Sequence, residues 1–167
     1  MNRFDLHMHS CYSGDGQFTP EELIKIAKAR GLKTIALSDH DCISGVKDMI
    51  QLGLDAGIEV IPAIECSTSI GDSDVHLLGY GIDIDNEYFK NLLDKTQVKS
   101  RNAFSTRCDK LRQKYGVEID EEAVLKEANG KNPWFVMCTH MFNDPRYQDI
   151  PDFKDYIPGG KRSDPAP

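Results

Sequence analysis

Two histidines one residue apart, in Asp5-Leu6-His7-Met8-His9-Ser10, offer the first chemistry in this sequence. Side chains alternate along an extended strand, so both imidazoles project from one face and both reach a single cation. Other polar groups follow. Asp15 sits in the glycine-flanked turn Ser13-Gly14-Asp15-Gly16, and His40 stands between two acids in Ser38-Asp39-His40-Asp41. Glu65 ends the apolar run Val60-Ile61-Pro62-Ala63-Ile64, and His76 lies in Asp74-Val75-His76-Leu77-Leu78. Mixed imidazole and carboxylate donors suit zinc, manganese or iron better than calcium. A carboxylate closing so apolar a run needs a partner, and a metal is one. Each group also has a plainer reading. Asp15 fits an ordinary turn, His40 a strand-end cap, His76 a hydrogen-bonded core histidine, and the histidine pair two surface neighbours. The acids beside His40 are of the type that orients a ligand imidazole.

The elements that would position these groups alternate in type. Phe4 to Met8, Lys33 to Ser38, Glu59 to Cys66 and Val75 to Tyr80 read as strands. A helix opens at Thr19-Pro20-Glu21-Glu22, with a capping hydroxyl, a proline at the first helical position and acids in the first turn. It turns Leu23, Ile24, Ile26 and Ala27 inward and ends near Gly31; a second helix runs from about Ser44 to Ala56, closed by Gly57. Strand, helix, strand, helix, strand is the pattern of parallel βα units. In such folds ligand-type residues gather at the carboxyl ends of strands. His7, His9, His40, Glu65 and His76 all fall at or just after expected strand ends.

The second part of the chain reads as helical. Asn86 to Tyr115 forms one long helix or two close ones, with Phe89, Leu92, Leu93, Phe104, Cys108, Leu111 and Tyr115 as a partial apolar stripe. Between Lys90 and Lys114 it carries eight basic residues and two acids. Asp120 to Ala128 and Trp134 to Phe142, opened by Asn132-Pro133, read as shorter helices. Pro151 to Pro167 reads as an irregular tail.

Size and composition limit the classes. The 167 residues, 40% of them hydrophobic, suffice for a domain with a real core. No apolar run approaches the roughly 18 residues that cross a bilayer, and the start lacks the basic-then-apolar pattern of a signal peptide. The expected location is cytoplasmic. Five cysteines, an odd number without a CxxC pair, argue against a disulfide framework or structural zinc knuckle. A net charge of −7 disfavours nonspecific nucleic-acid binding.

The succession DLHMHS, DGQFTPEEL, GLKTIALSDHD, GIEVIPAIECS and VHLLGYGID, in order from Asp5 to Asp83, resembles the PHP (polymerase and histidinol phosphatase) family. The resemblance implies a distorted βα barrel, a cluster of two or three divalent metals at the carboxyl ends of its strands, and phosphoester hydrolysis. Carried over to this chain, His7 and His9 hold one metal, and Glu65 bridges it to a second that His76 also binds. Asp15 and His40 hold a third. The loop from His9 to Asp15 is one residue longer than the commonest family version, so Asp15 aligns with Gly14 as an insertion. His7, His9, His40 and Glu65 form the implied catalytic set. Closely spaced cations lower the pKa of a bridging water and clamp phosphate oxygens, so metal-bound hydroxide is the expected nucleophile. Ser10, Cys11 and Cys66 read as neighbours of the site.

The family pattern continues with a later histidine, often before proline, and a terminal Asp-x-His pair. Neither occurs here. His140, the remaining histidine, reads as an ordinary helix residue. The fold expected is therefore α/β: an incomplete PHP-type distorted βα barrel, its first three or four βα units, with a helical insertion. Residues 1–85 carry the ligands, 86–145 the insertion and 146–167 the tail, and the chain reads as truncated, or as completed by strands from a second chain. An open sheet edge favours self-association. Arg101 and Asn102 resemble a family arginine-asparagine pair, which suggests that Arg101 or Arg107 receives a substrate phosphate; the plainer reading is a solvated helix face. The expected activity is hydrolysis of a small phosphorylated substrate, a nucleotide or metabolite. The alternatives are a noncatalytic PHP module of the kind attached to DNA polymerases and a histidinol-phosphate phosphatase.

Overall fold

The structure, a computed structural model, describes residues 3–148 except 72 and 130. The expected irregular tail lies outside the described residues. The chain forms two compact units that divide between Lys99 and Ser100.

The first unit holds β1 (Arg3–Met8), α1 (Pro20–Ala29), β2 (Leu32–Leu37), α2 (Val46–Ala56), β3 (Glu59–Ile70) and β4 (Ser73–Tyr80). The sheet order is β1-β2-β3-β4. β1, β2 and β3 run parallel, joined by the two helices. α1 starts where the sequence signals it: the Thr19 hydroxyl accepts from the Glu22 N–H, and the Glu22 carboxylate accepts from the Thr19 N–H. The helix buries Pro20, Leu23, Ile24 and Ala27, while Ile26 is only half-buried. α2 ends at Gly57, whose φ of 70° suits a residue without Cβ. These helices pack Leu23, Ile24, Ala27, Val46 and Met49 against Ile35, Leu37 and Ile58. Each large aliphatic side chain buried here stabilises the unit by about 1.5–3 kcal/mol. Gly53 marks the closest approach of α2 to the sheet, since a Cβ there would lie 2.3 Å from a Val60 methyl.

The fourth strand differs from a further parallel unit. β3 runs past Cys66 to Ile70, and β4 returns antiparallel beside it, pairing Ala63 with Tyr80 through to Ile70 with Ser73. Ser67, Thr68 and Ser69 carry no apolar signal, so the strand extension was hidden. The turn was not: Gly71 adopts a φ of 61°, and a Gly-Asp pair between two extended runs is a hairpin signature. So short a connection cannot hold the crossover that parallel strands require.

α3 spans Glu87–Tyr115 as one helix and passes from the first unit into the second. The second unit continues with α4 (Glu121–Ala128), α5 (Pro133–Asn143) and the short α6 (Pro145–Gln148). Asp120 and Asn132 cap α4 and α5 with their side-chain oxygens. Phe104, Cys108, Leu111, Val117, Val124, Trp134, Met137, Cys138 and Met141 form its core. All five cysteines are free thiols, and burial pushes Cys108 and Cys138 up to about 12, which keeps both protonated and inert. Among the described residues, no helix is long and apolar enough to cross a membrane.

Candidate metal centre

The strand ends bring the polar groups together. β1 and β2 slip register between Asp5 and Met8, where β1 holds one residue more than β2. Such a bulge re-aims side chains, and His7 lies within it. β2 and β3 pair in parallel up to Leu37 and Pro62, then pair once more, in the same register, at His40 and Glu65. Glu65 and His76 thus lie inside the hairpin strands rather than at their ends, and the hairpin overhangs the carboxyl edge of the parallel sheet. Glu65 is opposite Leu78, and His76 is diagonal to it on the same face.

Glu65 is the meeting point. Its Oε2 lies 2.7 Å from His7 Nε2, 3.0 Å from His9 Nε2 and 3.9 Å from His40 Nε2, and its Oε1 lies 2.8 Å from His76 Nδ1. Asp15 forms a second focus: Oδ1 is 3.0 Å from His9 Nδ1 and Oδ2 is 3.4 Å from His40 Nε2. His9 therefore faces one carboxylate with each ring nitrogen. Successive histidine rings, from His7 through His9 and His40 to His76, stand 4.7 to 5.0 Å apart.

The carboxylates and imidazoles of the cluster shift one another's ionisation. Burial would raise Glu65, which is only 4% exposed, but its bond to His7 and the charges of His40, His7 and His9 hold it below the usual carboxylate range. Burial likewise opposes ionisation of Asp15, and hydrogen bonds from His40, His9 and Ser13 outweigh it, leaving its carboxyl well below normal. The hydrogen bond to Asp15 raises His9 against the cost of burial. Burial lowers His40, and Asp15 more than reverses it, so His40 is raised too. Four imidazoles this close cannot all be protonated without mutual repulsion, and neutral imidazole is the form that binds a metal.

The donor atoms fall into three overlapping groups: His7, His9 and Glu65; His9, Asp15 and His40; and His40, Glu65 and His76. Within each, the donors lie within 4.8 Å of one another. Imidazole nitrogens and carboxylate oxygens in such sets fit divalent transition metals.

The acids on either side of His40 also bond to chain segments around the site. The Asp39 carboxylate accepts from the Ser10 N–H and the Ser10 hydroxyl, both at 2.6 Å. Burial raises Asp39, and the Ser10 bonds oppose that rise. Asp41 accepts through Oδ1 from the Ser67 N–H at 3.0 Å. Residue types alone gave no sign of the Ser10 or Ser67 partnerships. In the second unit, His140 Nε2 lies 2.8 Å from Glu127, and the Arg107 guanidinium sits 5.0 Å over the Trp134 ring. Arg101 is exposed on α3.

Comparison with known proteins agrees with this architecture. The chain is 32% identical over 120 residues to a 5'-3' exoribonuclease of Haemophilus influenzae, which covers 72% of this chain and 39% of that protein. It is 42% identical over 83 residues to a 3',5'-nucleoside bisphosphate phosphatase of Chromobacterium violaceum, covering 50% of this chain and 29% of that one. The chain thus spans less than half the length of these relatives. A solved structure from Bifidobacterium adolescentis, assigned as a metal-dependent phosphoesterase, superposes over 99% of this chain and 59% of its own with a TM-score of 0.69 at 22% identity. The four-stranded sheet with its covering helices is accordingly part of a PHP-type βα barrel. The sequence pattern of the PHP domain matches residues 5–139, and the chain belongs to that family.

Proposed function

We propose that this chain carries the metal-holding part of a metal-dependent phosphoesterase that hydrolyses a small phosphorylated substrate, a nucleotide in the first instance. The observation that supports this most directly is the convergence of His7, His9, His40 and His76 on the two oxygens of one buried carboxylate, Glu65. Two or three divalent ions, zinc, manganese or iron, would be held by His7, His9, Asp15, His40, Glu65 and His76. Such ions polarise phosphate oxygens and provide a strong nucleophile from water at neutral pH.

The residues of the chain prepare for this in separable ways. Glu65 presents Oε2 to His7 and His9 and Oε1 to His76, so its two oxygens serve opposite sides of the cluster. Asp15 divides its oxygens between His9 and His40 in the same manner. The lowered carboxyls stay ionised at neutral pH, which keeps them acceptors only. Ser10 and Asp39 are fully buried behind them and fix the turn that follows His9. The nucleotide preference is supported by the named activities of relatives, a nucleoside bisphosphate phosphatase and an exoribonuclease. The net charge of −7 favours the smaller of those substrates over a long nucleic acid.

Elemental analysis of protein purified without chelator, together with phosphate release from nucleoside bisphosphates, sugar phosphates and a short phosphorylated oligoribonucleotide, tests the reading. Bound transition metal and activity that both disappear in the His7→Ala, His40→Ala double variant are expected. Activity that survives this double substitution would overturn it.

A further inference from the structure

The parallel ladder between β2 and β3 stops at Leu37 and Pro62, yet Glu65 lies beyond that point. Two backbone bonds carry the pairing on: Glu65 N–H donates to the Asp39 carbonyl at 3.2 Å, and Asp41 N–H donates to the Glu65 carbonyl at 2.9 Å. In a continuing ladder the next bond would run from Ser67 N–H to the Asp41 carbonyl. It does not, because Asp41 turns away with a φ of 48°. Its carbonyl meets Gln97 Nε2 at 3.5 Å, while its side-chain Oδ1 takes the Ser67 N–H at 3.0 Å. The carboxylate thus replaces the residue's own carbonyl in the ladder. Ser67 stands opposite His76 in the hairpin, so the same bond fixes the strand that presents Glu65 and the residue paired with His76.

From this we infer that Asp41 is a positioning residue for the metal centre. Its side chain holds β3 in register past the end of β2, and thereby places Glu65 and His76 toward His7, His9 and His40. A left-handed backbone at a residue other than glycine is strained and persists where the surroundings impose it. Aspartate and asparagine tolerate that conformation best, and both offer an acceptor oxygen at the required place. Alanine offers neither, and glycine offers the backbone freedom without the acceptor.

The inference rests on Glu65 being a metal ligand, so the experiment separates the two. In the metal-free full chain, amide hydrogen exchange at Ser67 and Glu65 is followed by NMR for the parent, Asp41→Asn, Asp41→Ala and Asp41→Gly. Cobalt(II) is then titrated and its visible absorption recorded. Asp41→Asn is expected to keep the protected Ser67 amide and to bind cobalt within a few-fold of the parent. Asp41→Ala and Asp41→Gly are expected to lose that protection and to bind about tenfold or more weakly, the usual range for a group supporting a ligand. A folded Asp41→Ala chain that binds as tightly as the parent overturns the inference. So does recovery of parental binding by Asp41→Gly, which would assign the effect to backbone conformation alone. Should alanine fail to fold, the comparison of asparagine with glycine decides in the same way. A parent that binds no cobalt sinks the metal-centre reading instead, and the Ser67 exchange still shows whether Asp41 sets the strand.

Discussion

Ser10 and Asp39 meet through both polar groups of the serine: its N–H and its hydroxyl each lie 2.6 Å from a different oxygen of the Asp39 carboxylate, and neither residue is exposed. The pair ties the turn after His9 to the segment that carries His40. The serine oxygen also accepts from the Tyr12 N–H at 3.2 Å. Ser10→Ala removes one donor from a buried, ionisable acceptor and is expected to cost about 2 kcal/mol in urea unfolding. Asp39→Ala strands both serine donors and should cost more, while Asp39→Asn, which keeps an acceptor for the N–H, should cost less than alanine. Equal stability of the asparagine and alanine variants would show that the clasp contributes little.

Gly16 follows Asp15 and lies against the start of the same loop. A Cβ there would sit 2.0 Å from the Ser10 carbonyl oxygen and 2.8 Å from the His9 carbonyl carbon. These are backbone atoms and cannot rotate aside. Gly16→Ala must open the loop, at about 1–3 kcal/mol, and displace Asp15 from His9 and His40. The expected readout by elemental analysis is loss of the metal that His9, Asp15 and His40 would hold, with the metal that His7, His9 and Glu65 would hold retained. Unchanged metal content in a stable Gly16→Ala chain would remove the loop from the argument.

The sequence carried the fold where hydrophobic periodicity and local capping coincide. The Thr19 capping box, the proline after it and Gly57 mark both crossover helices because each feature acts within a few residues of itself. Strands β1 and β2 were legible from their apolar content to within a residue or two. The hairpin extension of β3 was not, since Ser67, Thr68 and Ser69 owe their strand conformation to pairing with β4. The six candidate ligands stood out because isolated polar groups on apolar strands are unusual. The supporting set, Ser10, Asp39, Asp41 and Ser67, stayed hidden, because its bonds join residues 26 and 29 positions apart. The division inside α3 was hidden for a related reason: the helix is continuous, and only contacts made elsewhere separate its two halves.

Glu65→Gln tests the carboxylate around which the cluster is built. The amide keeps the shape but removes the charge that faces His7, His9, His40 and His76. Metal binding should weaken by about tenfold or more in a cobalt titration. Thermal denaturation gives an independent measure: free metal at 100 times its dissociation constant stabilises the native state by about 2.7 kcal/mol. That gain should vanish on chelation in the parent and be small throughout in Glu65→Gln. Equal metal-dependent stabilisation of the two proteins would count against Glu65 as a ligand.

The metal-free and metal-loaded chains should respond to pH in opposite directions as pH climbs through the histidine range. His9 and His40 have folded pKa values raised above the ordinary 6.5, chiefly through Asp15. A raised histidine stabilises the native state fully below its unfolded pKa, and this contribution is lost as pH climbs through the folded value. The metal-free chain should therefore weaken as pH rises above about 6.5. At the acid end, Asp15 and Glu65, whose values are lowered, lose their contribution as pH falls through those values, and Asp39, whose value is raised, changes in the opposite sense. The metal-loaded chain follows a different rule, because binding requires neutral imidazoles and so strengthens as those protons leave. Urea midpoints with chelator should fall as pH rises from about 6.5, and the gap between them and midpoints with added metal should widen. If the chelated protein instead gains stability steadily as pH rises past about 6.5, His9 and His40 are not held by Asp15 as the geometry shows.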